Sequence, residues 1–170
     1  MSLPQLSLSV TERGDCVFSG INLWCALILQ EVPAILEERH APAPRERLFP
    51  DPTRSDPDWN DQWRQLVAPE LESLFQSAGE IIARDLARLQ PEDKRQSSFR
   101  VEIPAAHVNA WISALNQARL ILGAQHKITE ADMNDDAPVN LCDKRTAAVM
   151  KIRLLGIFVE LLVQTQLDAM

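Results

Sequence analysis

The stretch 104–126, PAAHVNAWISALNQARLILGAQH, constrains this chain more than any other segment. Val108, Trp111, Leu115, Ala118 and Leu122 recur with gaps of three, four, three and four. That spacing predicts a helix with one apolar stripe turned to a core. Pro104 suits the first helical position, where its missing N–H costs nothing and its fixed φ matches the turn. Gly123, near the far end, reads as a helix cap or as a place where another backbone comes close. Trp111 is expected to be a core anchor. Ile112, Asn116 and Arg119 follow the flank of the stripe. An Asn and an Arg at the edge of a core need partners, because a buried, unpaired charge is costly. Two readings of Asn116 and Arg119 stay open: a structural network with a carboxylate or helix-end carbonyls, or the polar floor of a binding groove.

Other segments extend the helical pattern. A first helix is predicted from Ile21 to Glu38, with Trp24, Leu27, Ile28, Ile35 and Leu36 on its buried face and a kink or break at Pro33. From Trp59 to Leu89 a second pattern presents Leu71, Leu74, Phe75, Ala78, Ile82 and Leu86, with Pro69 marking a kink or a fresh start and Asp58 as its cap. Glu80, Arg84, Asp85 and Arg88 read as charges of its solvated face, Glu80 and Arg84 pairing at i, i+4. The last helix, from Cys142 or Asp143 to Leu167, carries a stripe of Ala147, Met150, Leu154, Ile157 and Leu161, widened by Leu155, Phe158 and Leu162. It is either the centre of a bundle or a dimer seam. Gly156 within it points to close packing, with the central helix as its neighbour.

Between the helices, Leu6, Leu8 and Val10 alternate with polar residues before Glu12-Arg13-Gly14-Asp15 and Cys16-Val17-Phe18, which predicts a short β-hairpin. Arg13-Gly14-Asp15 is turn chemistry. Phe99, Val101 and Ile103 can supply a third strand. Residues 40–58 hold five prolines among mixed charges, predicting an extended surface linker without regular helix, pinned to the body by Leu48-Phe49.

Composition narrows the function classes. With 170 residues and 46% hydrophobic content the chain suffices for a single domain spanning 1–170. A net charge of −7 argues against nucleic-acid binding, and against a winged helix-turn-helix in particular. Cys16, Cys25 and Cys142 are an odd, scattered set that suits buried thiols in a reducing compartment. The N-terminus lacks the layout of a signal peptide, and Arg153 and Glu160 interrupt the most apolar stretch, so no membrane span is expected. His40, His107 and His126 lie far apart, and none has a Cys or His at ligand spacing, so no metal and no cofactor are expected. Asp132-x-Asn134-x-Asp136 imitates a calcium loop, but Ala137, Pro138 and Asp143 stand where that loop needs other residues. Thr129 capping a short turn with Asp132 is the plainer reading. No nucleophile elbow, phosphate loop or zinc-protease motif occurs.

Trp111-Ile-Ser-Ala-Leu-Asn-Gln-Ala-Arg-Leu-Ile-Leu-Gly123 resembles the helix motif of an uncharacterised bacterial family, frequent in actinobacteria, catalogued as a domain of unknown function. Arg47-Leu-Phe-Pro-Asp-Pro52 and the apolar last helix fit the same layout, so the resemblance covers most of the chain. Gln117 departs from the pattern, which usually has Asp there. The resemblance implies a helical cytoplasmic protein and supplies no activity.

The sequence therefore predicts an all-α, four- to five-helix bundle with a minor hairpin or small sheet. Its function is read as a cytoplasmic protein-interaction or adaptor module without catalytic residues, with a groove lined by Asn116, Arg119 and residues of the proline-rich linker. The partners are proteins, or a second copy docked through the C-terminal helix. The alternative is a small-molecule-binding protein or hydrolase-like enzyme with a pocket near the same two residues.

Overall fold

The computed structural model describes residues 5–135, 140 and 142–169. It is mostly helical with a small antiparallel sheet, as the sequence predicts. The strands are β1 (Ser7–Val10), β2 (Cys16–Asn22), β3 (Gln90–Pro91) and β4 (Ser98–Ile103), in the spatial order β1-β2-β4-β3. The α-helices are α1 (Leu23–Glu37), α2 (Pro42–Leu48), α3 (Pro57–Leu66), α4 (Ala68–Leu86), α5 (Val108–Gln125), α6 (Glu130–Asn134) and α7 (Lys144–Asp168). Seven α-helices thus stand among the described residues where four or five were expected. The difference comes from the short α2 and α6 and from the division of the 59–89 pattern.

The hairpin turn is made by local polar chemistry. Gly14 takes φ +85°, its N–H donates to the Thr11 carbonyl at 2.9 Å, and the Asp15 N–H donates to Thr11 Oγ1 at 3.1 Å. Asp15 Oδ1 accepts from the Ala105 N–H at 2.9 Å and ties this turn to the approach to α5. Strand β2 is longer than expected and takes Ile21 from the predicted first helix. Its register slips between Phe18 and Ile21, and Gly20 fills the irregularity with φ +69°. A Cβ on Gly20 would lie 2.2 Å from the Gln5 carbonyl oxygen. Glu92 Oε2 accepts from the Gly20 N–H at 2.9 Å and from the Ser98 hydroxyl at 2.6 Å, joining the bulge to β4. Burial pushes the Glu92 carboxyl up, but these donors outweigh it and hold the group below its ordinary value.

The buried residues of the sheet, Cys16, Phe18, Ile21, Val101 and Ile103, join the helical core, with Phe18 meeting Phe158 edge to face at 4.8 Å. Helix α5 lies at the centre and packs against α7, α4, α2 and α1. All five residues of its predicted stripe are buried.

Several expectations give way. Helix α1 runs unbroken through Pro33, since Leu29, Val32 and Leu36 hold it to the core across the missing hydrogen bond. The 40–58 linker contains a regular helix, α2. Pro42 and Pro44 fall in its first turn, where N–H groups have no intrahelical partner, so proline starts this helix instead of forbidding it. Leu48 is buried and Phe49 packs against Phe75, so the pinning role holds. Pro69 marks a fresh start, separating α3 from α4, and Asp56, not Asp58, caps α3 through the Trp59 N–H at 2.9 Å. Leu74 points to solvent, 67% exposed, and Glu80 accepts from Gln76 at 3.1 Å with no ion pair to Arg84 among the described residues. On α7 the buried face is Ala148, Ile152, Leu155, Val159 and Leu162 with Val149, Leu154 and Phe158, while Ile157 of the expected stripe is exposed. A helix apolar on most sides does not reveal which side meets the core.

Thr129 and Asp132 form the expected capping box. The calcium-like pattern runs into Asp136, Ala137 and Pro138, which lie outside the described residues. No group of three His, Cys, Asp or Glu that could hold a metal ion occurs among the described residues. No helix among them is long and apolar enough to cross a membrane.

Gly20→Ala combines a left-handed φ with a backbone clash, so it is expected to cost about 2–4 kcal/mol. Urea denaturation monitored by circular dichroism measures it, and a loss under about 0.5 kcal/mol would show that the bulge relaxes freely.

Candidate functional site

The orientation of α5 is fixed by a buried acid. Asp85, on α4, is fully buried; Trp111 Nε1 donates to its Oδ2 at 2.9 Å, and His107 Nδ1 lies 2.9 Å from the same oxygen. Arg88, one turn on, donates to Oδ1 at 2.5 Å from a largely exposed position. The carboxylate is therefore paired at both oxygens, the condition for keeping a charge inside a protein. Asp85 was expected on the solvated face. Its partners on α5 are remote in sequence, and nothing in the local alternation of charge shows them. His107 keeps a partly exposed side chain while holding this acid.

With α5 fixed on α4, its opposite flank carries Asn116, Leu120 and Ala124 at i, i+4 and i+8. These residues floor an open groove of about 610 Å³. Arg47 of α2 lines one side; Thr129, which caps α6, and Glu130 and Met133 of α6 line another, with Ile152 contributed by α7. The second wall is well held. Arg153 donates to the carbonyls of Met133 (2.7 Å) and Asp135 (3.0 Å), and Arg145 to the Lys127 carbonyl (3.1 Å) and Asp132 Oδ2 (2.6 Å). The Arg145 and Thr129 hydrogen bonds hold the Asp132 carboxyl well below the ordinary value of 3.8. By linkage that contribution is complete at neutral pH and is lost only as pH falls below the ordinary carboxylate range.

Helix α5 ends in a Schellman motif. The Ile128 N–H donates to the Gly123 carbonyl at 2.9 Å, and Lys127 takes the left-handed conformation at φ +51°. Lys127, not Gly123, thus makes the helix stop. Gly123 lines the groove, and a Cβ built on it would meet nothing within 4 Å.

The two site residues predicted from sequence do come together. Arg119 Nη1 donates to Asn116 Oδ1 at 2.9 Å, and the guanidinium lies over Gly156 of α7, at 3.4 Å from where a Cβ would stand. That distance is ordinary van der Waals contact with a flexible side chain, so this contact does not by itself require a glycine at 156. Arg119 Nε is buried with no hydrogen-bond partner, and no carboxylate pairs with the guanidinium among the described residues. Arg47 likewise has no ion pair among them. The structure thus places two arginines and one acid, Glu130, on a groove with apolar walls. The sequence reading put residues of the proline-rich 40–58 segment at the groove without naming Arg47, and it missed Met133 and Ile152, which reach the groove only through the packing of α6 and α7. It also missed buried Arg39, which donates to the Leu36 carbonyl at 3.1 Å near the end of α1.

The thiols offer little chemistry. Cys16 and Cys25 are buried, and desolvation pushes both above the ordinary value. Cys142 is exposed.

A family model described as a domain of unknown function, DUF2017, matches residues 26–166. No curated protein and no solved structure matches the chain.

Asp85→Ala strands the buried Trp111 N–H and leaves partly exposed His107 without its acid, and is expected to cost about 3 kcal/mol. Asp85→Asn, which keeps an acceptor for Trp111, is expected to lose less. Urea denaturation of both variants measures the difference, and equal stability of Asp85→Ala and wild type would remove the clamp.

Proposed function

We propose, for a chain that belongs to the DUF2017 family of domains of unknown function, that it is a protein-interaction or adaptor module of the cytoplasm. The groove at Asn116 and Arg119 receives a segment of its partner. One observation carries this reading: Arg119 stands in an open groove without an acidic partner among the described residues, beside Arg47 in the same condition. An arginine serving only a core network would be matched by an acid or by backbone carbonyls, as Arg145 and Arg153 are. The free thiols support a reducing compartment. A second copy could instead cover Ile157, Val163 and Leu167, the exposed large apolar side chains of α7. The groove volume falls within the range of small-ligand sites, which favours a small-molecule binder as the second reading.

The test is affinity capture from a lysate of the source cells with wild type, Arg119→Ala and Arg54→Ala, each first shown folded by circular dichroism and melting. Arg54 is exposed and serves as a charge control outside the groove. The reading expects proteins recovered by wild type and Arg54→Ala to be absent with Arg119→Ala. Identical recovery with all three, or none with wild type, would contradict it.

A further inference from the structure

We propose that the groove beside Arg119 binds the C-terminal carboxylate of a partner polypeptide whose last side chain is apolar. This rests on the interaction reading above and narrows it to one chemistry. The charge balance comes first. Arg47 and Arg119 face a single acid, Glu130, and neither arginine has an ion pair among the described residues. Such an imbalance in a chain of net charge −7 favours an anionic occupant at this place. Guanidinium and carboxylate match each other in planar geometry, and their charge-assisted hydrogen bonds are about twice as strong as neutral ones.

Arrangement then selects among anions. Leu120, Ile128, Met133 and Ile152 line the same groove as the arginines. The last residue of a polypeptide carries its carboxylate and its side chain on one Cα, so one residue supplies both the charge and the apolar group. An internal Asp or Glu spends its side chain on the charge and leaves the apolar walls unfilled. Capture of a terminal carboxylate is also an established way of reading peptides.

Room for the preceding residues is present. A second depression of about 890 Å³ shares Arg47, Leu120 and Ala124 with the first and continues past Phe49 and Pro50, where Glu46 and the Arg64–Asp51 pair also line it, so the excess of positive charge belongs to the first groove. Two adjoining open depressions fit an extended chain better than a compact molecule, which prefers an enclosed site. Gly123 leaves the floor bare, so a peptide backbone can approach α5 closely.

The test uses pools of N-acetylated peptides, random in sequence but ending in Leu, with a free carboxylate in one pool and a C-terminal amide in the other. A third pool is amidated and carries a central Asp. Retention on the immobilised full chain is compared for wild type, Arg119→Gln and Gly123→Phe. Because a Cβ at position 123 meets nothing within 4 Å, Gly123→Phe is expected to place its ring in the groove, and each variant is first shown folded by circular dichroism and melting. The expected result is retention of the free-carboxylate pool about ten-fold or more above the amide pool, lost in both folded variants. Equal retention of the two pools would overturn the proposal, as would retention that survives both variants. Selective retention of the Asp pool would overturn it and leave the interaction reading standing. Retention of no pool would also overturn it, and the capture experiment above would then decide the interaction reading by itself.

Discussion

The carboxylate of Asp85, sealed between two helices, is the constraint on which the rest of the structure depends. A charge can stay inside a protein only where its lone pairs are matched. Here the Trp111 indole and His107 meet one oxygen and Arg88 the other. Those bonds exist only at one rotation of α5 against α4, so they set the face that α5 turns toward the core. Apolar burial of Trp111, Leu115, Ala118 and Leu122 supplies the driving force, and the hydrogen bonds supply direction.

The rest of the groove follows from that orientation. With Trp111 fixed inward, Asn116, Leu120 and Ala124 turn outward between α2 and α6. The Arg119 guanidinium lies across Gly156 of α7. Arg145 and Arg153 hold α6 as a wall, while Arg47 and Arg119, chemically the same, are left without acids among the described residues. Within one small region, arginines bonded to carbonyls and to an acid stand beside arginines that have no ion pair among the described residues.

Much of this fold was legible in the sequence, because periodicity reports burial directly. The α5 stripe, the hairpin and the β4 alternation are all features in which a residue's spacing decides its environment. The same spacing put Asn116 and Arg119 together on the flank of that stripe, where a hydrogen bond joins them. What could not be read depended on remote partners. Asp85 sits in a run of alternating charge that looks solvated, and only the arrival of Trp111 and His107 from another helix buries it. Arg47 lies in a proline-rich segment that reads as a linker, whereas Pro42 and Pro44 occupy the first turn of a helix that carries it to the groove. The apolar character of α7 extends around the helix, so its spacing did not choose between two faces. The chain belongs to a family described only as a domain of unknown function, over residues 26–166.

The central claim is that Arg119 is presented to a ligand and is not a strut of the core. Chemical denaturation of Arg119→Met tests it most directly, since methionine keeps an apolar stem over Gly156 and removes only the charge and its donors. The account predicts stability within about 1 kcal/mol of wild type, since the one partner left behind, Asn116 Oδ1, lines an open groove. A loss of about 3 kcal/mol or more would contradict it, because that is the cost of breaking a buried ionic network.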